Sequence, residues 1–239
     1  MKSFGPTRLL NRLMEVKTEL RGIFAALKKN LPGAETRLLK LLHDREWEIR
    51  LEVAKFVGEK AYAPFARRIA ERLPDETHEL VRAALITSCG ELQSTETLNA
   101  LLTAAAKDQR KRTPERGRIL YALCKHATET ARDYFEHVFA AELPDPPIPF
   151  DHRKEERVLA AWGLMKLGQD DEAQAFLTAM LEDPPIDVYD AIGEVKATDT
   201  GVAVRAKQAL VDVGLMTRRS RMPPPPPPDR GSERKIKVH

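Results

Sequence analysis

Aromatic side chains are scarce in this sequence, since Phe, Tyr and Trp make up only 6% of its 239 residues. Hydrophobic residues as a whole still reach 42%, which is enough for the chain to fold. Alanine is abundant, and small side chains are what closely stacked helices require. The composition therefore fits helices that pack tightly against one another.

Long apolar runs are also missing from the chain. No stretch of 18 apolar residues occurs, so no membrane span is predicted. The N-terminus lacks the apolar core and cleavage site of a secretory signal. The two cysteines, Cys89 and Cys124, lie on separate apolar helices, so we expect buried thiols and no disulfide. These features predict a cytoplasmic protein.

The common motifs of catalysis and metal binding are absent as well. The chain has no Gly-rich phosphate loop, no His-Glu-x-x-His and no Cys-x-x-Cys. Cys124 and His126 are near neighbours and His137 is in the next helix, but a metal would need further ligands. We therefore predict no catalytic residue, no cofactor and no metal site, while enzymatic activity stays open.

The chain does contain a repeat, which is clearest in residues 44–58. An acidic turn residue is followed by an apolar residue and Arg50, a small residue four places later and Gly58 eight places later. The pattern returns with decay, and the glycine persists only as Gly90. Taken as position zero, the arginines are separated by 32, 36, 39 and 48 residues and are Arg50, Arg82, Arg118, Arg157 and Arg205.

A second amphipathic segment precedes each copy, as Leu38–Leu42 precedes the first. The apolar spacing in both segments follows a helical period and not strand alternation. Each unit is therefore predicted to be two antiparallel helices joined by a short turn. One such pair cannot bury its apolar face alone, so the pairs must stack.

This repeat resembles the HEAT-repeat family over residues 34–215. The resemblance implies an all-α fold, a right-handed α-solenoid of about five helical pairs. It also implies a structural role for the five arginines, which we call the Arg ladder. In the family the turn aspartate pairs with the arginine of a neighbouring repeat, so Asp44, Asp151 and Asp199 are the expected partners.

The two ends of the chain differ from the repeats at 34–216. Residues 1–33 contain a helix at 7–30 with an apolar heptad seam of Leu9, Leu13, Val16, Leu20, Ile23 and Leu27. We expect this helix to cap the first pair, with a dimeric coiled coil or a membrane-surface helix as alternatives. Residues 217–239 hold six consecutive prolines among basic residues, so we expect a disordered tail, either a spacer or a ligand.

Charge is uneven along the chain. The whole chain carries +3, and residues 1–30 and 217–239 carry +5 each, so the remainder carries −7. The most basic run of the body is at 107–116, which could form a phosphate-binding edge or a solvated turn. Nucleic acid is therefore an alternative partner that the acidic body argues against.

An interaction site is predicted on the second helices, which line the concave side in the HEAT family. Positions +2 and +5 from the arginine should point outward there, and in the third and fourth copies they are apolar: Leu120, Leu123, Leu159 and Trp162. They form either an exposed patch or a contact buried between curved repeats. Two long loops, 143–152 with Phe150 and 183–200 with a helical turn near Tyr189, should emerge at one edge.

These observations predict a scaffold or adaptor that binds a partner protein on its concave face, with the loops adding specificity and the tail a second contact. Two alternatives stay open. One is a HEAT-like protein that binds nucleic acid or repairs DNA. The other is a lyase-like HEAT protein that acts on a partner protein and has a ligand-sized pocket. The oligomeric state does not follow from the sequence.

Overall fold

The structure is a computed structural model that describes residues 6–141, 153–168, 170–182, 186–189, 195–199 and 201–216. Residues 6–9, both strands and residue 201 are described by their backbone alone. The chain divides into two compact units, Met1–Ala141 and Glu142–His239.

Helices dominate the described residues, which confirms the helical fold class. Their bounds are α1 Pro6–Lys28, α2 Ala34–Leu42, α3 Trp47–Glu59, α4 Ala66–Arg72, α5 Glu79–Leu92, α6 Thr95–Arg110, α7 Arg116–His126, α8 Arg132–Phe139, α9 Arg153–Leu167, α10 Asp171–Ala179 and α11 Gly201–Asp212. Short 3-10 turns lie at Ala63–Phe65, Leu73–Asp75, Glu129–Ala131 and Met180–Glu182.

The first unit contains three helical pairs, α2 with α3, α4 with α5 and α6 with α7, followed by α8. The members of each pair pack on one another, and α3, α5 and α7 pack side by side. In α3 the buried residues recur at a helical period and include Val53, Ala54, Val57 and Gly58. Each helix therefore buries one stripe against its partner and a second stripe against the neighbouring pair.

Two glycines set the distance between the second helices. A Cβ added to Gly90 would lie 2.8 Å from the backbone Cα of Ala122 on α7. A Cβ added to Gly58 would lie 2.6 Å from the Ser88 hydroxyl on α5, which itself donates to the Ala54 carbonyl at 2.6 Å. The glycine eight places after the arginine is thus required where one second helix approaches the next.

Helix α1 covers the first pair, as the capping interpretation expects. Val16, Leu20, Ile23 and Leu27 are all buried, and α1 packs on α2 and α3. Burial of each such side chain contributes about 1.5–3 kcal/mol before entropy is counted. Leu13 is half-buried, and the side chain of Leu9 lies outside the described residues.

The second unit contains α9, α10 and α11, which pack on one another, and a hairpin. Strand β1 (Ile186–Tyr189) pairs antiparallel with β2 (Val195–Asp199), with Val188 opposite Ala197. The helical turn expected near Tyr189 is therefore wrong. Ile186, Asp187 and Val188 alternate apolar and polar, which is the period of a strand and not of a helix.

Candidate functional site

The apolar patch expected on the second helices is not exposed. Leu120 and Leu123 have no exposed surface, and Leu159 and Trp162 are only 4% and 8% exposed. The error in the third copy is one of register, because the buried arginine of α7 is Arg116 and Arg118 is exposed. Counted from Arg116, Leu120 and Leu123 occupy positions +4 and +7. Ala54 and Val57, at the same positions after Arg50, are buried in α3.

Trp162 fastens two helices of the second unit together. Its indole Nε1 donates a hydrogen bond to Oδ2 of Asp212, at the end of α11, over 3.1 Å. Lys166 lies 5.5 Å from the centre of the indole ring and 3.3 Å from the same carboxylate. This tryptophan therefore holds α9 against α11. Phe150 lies outside the described residues, and Tyr189 is described by its backbone alone.

The first member of the Arg ladder joins two neighbouring pairs. Arg50 donates from Nε and one terminal nitrogen to the two carboxylate oxygens of Glu76, at 2.8 and 2.9 Å. Its other terminal nitrogen donates to the Asp44 carbonyl at 2.9 Å. Burial by itself would raise the pKa of Glu76, but hydrogen bonds from Arg50 and the His78 amide, with the nearby charges, lower it to about 2.

The structure tests one of the expected aspartate partners, Asp44, and it does not take the ion pair with Arg50. The Asp44 carboxylate accepts from the Glu46 amide at 3.0 Å, while Glu76 takes the ion pair with Arg50. Glu76 occupies the corresponding place before α5, where it accepts from the His78 amide at 2.8 Å. Asp151 lies outside the described residues, and the side chain of Asp199 does as well.

The second and third members of the ladder differ from each other. Arg82 binds Glu115, the residue before α7, with its Nε 2.7 Å from the carboxylate. Arg118 is exposed, so the third structural arginine is Arg116. Arg116 donates to fully buried Asp108 at 2.7 Å.

The two ladder residues of the second unit also differ from the first copy. The guanidinium of Arg157 lies 4.6 Å from the centre of the Phe176 ring on α10. Its pKa is lowered, because burial disfavours the charged form. Arg205 on α11 donates to Glu155 on α9. The arginines therefore connect helices in both units, but through partners that differ from copy to copy.

A groove between α4 and α6 forms a cavity of about 610 Å³ on the first unit. Its floor comes from the second helices and from small residues of the first helices. Ile86 and Ile119 are each only 2% exposed there. The apolar lining residues include Ala70, Leu73, Ile86, Ala100, Ala104 and Ile119.

The rim of this groove is polar and carries both signs of charge. Asn99 and Thr103 lie along α6, and three basic and four acidic residues complete the lining: Arg67, Arg82, Lys107, Glu71, Glu76, Glu96 and Glu115. Most are already paired, since Arg67 binds Glu71 and Arg82 binds Glu115. Glu96 and Lys107 form no salt bridge among the described residues.

Sequence reasoning missed this groove because it is formed by first helices. Its signal lies in α6, where the small residues Ala100 and Ala104 are four places apart between Glu96 and Lys107. These small side chains leave room above the second helices, and the charged residues flank that space. The prediction looked for large apolar residues on second helices, and those residues are buried.

Reactive groups are few among the described side chains. Burial raises the pKa of the Cys89 thiol to about 12, so this thiol is not ionised near neutral pH. Cys89 and Cys124 are both buried free thiols, as expected. The described residues contain no group of three or more His, Cys, Asp or Glu side chains placed to hold a metal ion. None of the described helices is long and apolar enough to cross a membrane.

Two comparisons with known proteins found no match. No family model matches the chain, and no curated protein sequence matches it. The HEAT resemblance therefore depends on the repeat pattern itself.

Proposed function

We propose that this chain is a right-handed solenoid of HEAT-like helical pairs that binds a partner protein. The groove between α4 and α6 takes an apolar segment of that partner. The observation that supports this proposal most directly is the open cavity of about 610 Å³, whose floor is apolar and whose rim is polar. Clefts of this size and lining are typical of binding sites, and grooves between helices commonly receive apolar side chains.

The balance of charge in the groove favours protein over nucleic acid. Three basic and four acidic side chains line it, whereas a phosphate backbone needs a clear excess of Lys and Arg. Part of the basic run at 107–116 is also buried and forms hydrogen bonds within the fold. Asp108 in that run is fully buried and accepts from the Thr113 amide at 2.6 Å and from Arg116.

The rigidity of the walls supports binding without large ordering costs. Helix α6 has a capping box, in which Ser94 accepts from the Thr97 amide at 3.2 Å and Thr97 accepts from the Ser94 amide at 3.0 Å. Buried Asp108 fixes the other end of α6 to Arg116 and to the Tyr134 hydroxyl at 2.9 Å. A preformed groove loses little conformational entropy when a ligand enters it.

Site-specific photo-crosslinking tests this function. A benzophenone amino acid replaces Thr103, which lines the groove and is exposed, or Ala106, which is exposed on the same helix outside the groove. The proposal predicts that position 103 crosslinks one protein segment in cell extract and that position 106 does not. Equal products at both positions, or products that contain nucleic acid or a small molecule instead of protein, would contradict it.

A further inference from the structure

The groove has a direction, because two exposed side chains of opposite charge, Glu96 and Lys107, lie at opposite ends. Glu96 is in the first turn of α6 and Lys107 is in the last. Both line the groove, on the same helix face as Asn99, Ala100 and Thr103. They are 11 residues apart, which is about three helical turns or roughly 16 Å.

The two walls of the groove run in the same direction. Arg67 at the beginning of α4 interacts with Glu96 at the beginning of α6. Leu73 and Pro74, which follow α4, lie in the same cavity as Lys107 near the end of α6. The carboxyl ends of both wall helices therefore point to the end of the groove where Lys107 lies, and their dipoles add there.

On the basis of the proposed function, we infer that the partner segment is an amphipathic helix of about three turns that runs antiparallel to α6. It begins with an acidic residue over Lys107, buries an apolar stripe against Ile86, Ala104 and Ile119, and ends with a basic residue over Glu96.

Two independent effects select this direction over the reverse. First, acidic residues stabilise the start of a helix and basic residues stabilise its end, so the partner helix is intrinsically more stable with its acid first. Second, the positive end of the partner dipole then lies beside the negative ends of α4 and α6. An extended segment gains neither effect, because it has no helix dipole.

An anion such as phosphate is not expected at the opposite end of the groove, where Glu96 lies. The amino ends of α4 and α6 would attract an anion there, but Glu96 occupies the first turn of α6. Glu96 disfavours an anion at that end, which leaves the Lys107 end as the place for an acid.

Two synthetic helical peptides of identical composition test the direction. Both carry the same apolar stripe over about three turns, and one has Glu at the start and Lys at the end while the other has them exchanged. Fluorescence anisotropy on the full chain measures both. The exchanged peptide can form both ion pairs only by lying parallel to α6, where its terminal charges oppose its own dipole and its dipole is aligned with that of α6. The peptide with Glu first should therefore bind about fivefold more tightly.

Charge exchange on the protein gives the second arm of the test. The double variant Glu96→Lys plus Lys107→Glu should weaken the preference, because the peptide with Glu first then forms its ion pairs only when it lies parallel to α6. Arg110→Glu, exposed in the last turn of α6 and outside the groove, should preserve the preference. Circular dichroism first confirms that each variant keeps its helical content.

The possible failures are distinguishable. Equal affinity for the two peptides, with both lost when Trp at position 104 fills the groove, overturns the direction and leaves the proposed function standing. A preference that the double variant leaves unchanged also overturns the direction. If neither peptide binds, or if Ala104→Trp leaves binding unchanged, the helix as occupant is overturned together with the groove as its site.

Discussion

The first and third helical pairs use their buried arginine in different ways. Arg50 reaches out of its own pair to Glu76, which precedes α5. Arg116 stays within its pair and binds Asp108, which lies at the end of α6. Tyr134 on α8 then donates to the same aspartate at 2.9 Å. The same residue type thus stabilises stacking between pairs in one region and the turn inside a pair in the other.

The difference follows from the buried carboxylate at the end of α6. The turn at 43–46, between α2 and α3, leaves Arg50 facing the next pair. The segment at 111–115, between α6 and α7, brings Thr113 and Arg116 near buried Asp108. Asp108 needs these donors because a buried carboxylate is costly unless it is paired and hydrogen-bonded.

Removal of Asp108 should have the largest effect in this comparison. Asp108→Ala leaves Arg116, Thr113 and Tyr134 without the carboxylate to which they donate. We expect a loss of about 3–5 kcal/mol in the free energy of unfolding, measured by urea titration. The matched control Asp133→Ala, at an exposed position of α8, should change it by about 0.5 kcal/mol or less. Equal effects at the two positions would remove the special role of Asp108.

Low pH should weaken the ion pair between Arg50 and Glu76. The pKa of Glu76 is about 2 in the folded chain, against an ordinary value of 4.5. Because the folded value is the lower one, the carboxylate stabilises the fold fully above pH 4.5, and this contribution disappears as pH falls through 2. A shift of this size corresponds to roughly 3 kcal/mol.

Urea titrations at pH 5 and pH 3 measure this loss. The wild-type chain should lose more stability between the two than Glu76→Gln, which cannot titrate. The same loss in both proteins would assign the acid sensitivity to other groups.

Double-mutant cycles should rank the coupling energies of the two ion pairs that join neighbouring helical pairs. The Arg50 side chain is 10% exposed and that of Glu76 is fully buried, whereas 34% of the Arg82 side chain is exposed. Solvent weakens the second ion pair, so we expect a coupling of about 2 kcal/mol for Arg50 with Glu76 and about 1 kcal/mol or less for Arg82 with Glu115. A larger coupling at Arg82 would contradict the ranking.

The smallest expected effect is the difference in stability between alanine variants of the two close-packed glycines. Gly90→Ala places a Cβ against the backbone of Ala122, which cannot move aside without shifting α7. The overpacking exceeds the gain in helix propensity, so we expect a net loss of about 1 kcal/mol. Gly58→Ala meets first the Ser88 hydroxyl and should cost less. Thermal melting of the two variants checks the order, and a larger drop for Gly58→Ala would reverse it.

The sequence predicted what the repeat encodes locally. The helical period, the seam of α1 and the small residues that let second helices approach are properties of single segments, and the structure confirms them. Leu20 and Ile23 are buried as expected, and Gly58 and Gly90 lie at close contacts. Each of these outcomes depends only on which face of one helix is apolar.

The partners across helices could not be predicted in the same way. Glu76 and Asp44 are both acidic and precede second helices, and the stacking of the pairs decides which of them faces Arg50. Arg116 and Arg118 are two residues apart, and the packing of α7 decides which one is buried. The groove is harder still, because it is a space between α4 and α6 and no single segment encodes it.

The most direct test of the central claim is the affinity of the crosslinked partner for two matched variants. Ala104→Trp fills the groove from α6, and Ala106→Trp adds the same bulk on the exposed side of the same helix. With both variants folded, calorimetry should show a loss of about tenfold or more for Ala104→Trp and a change within about twofold for Ala106→Trp. Equal affinities for the two variants would contradict the groove as the binding site.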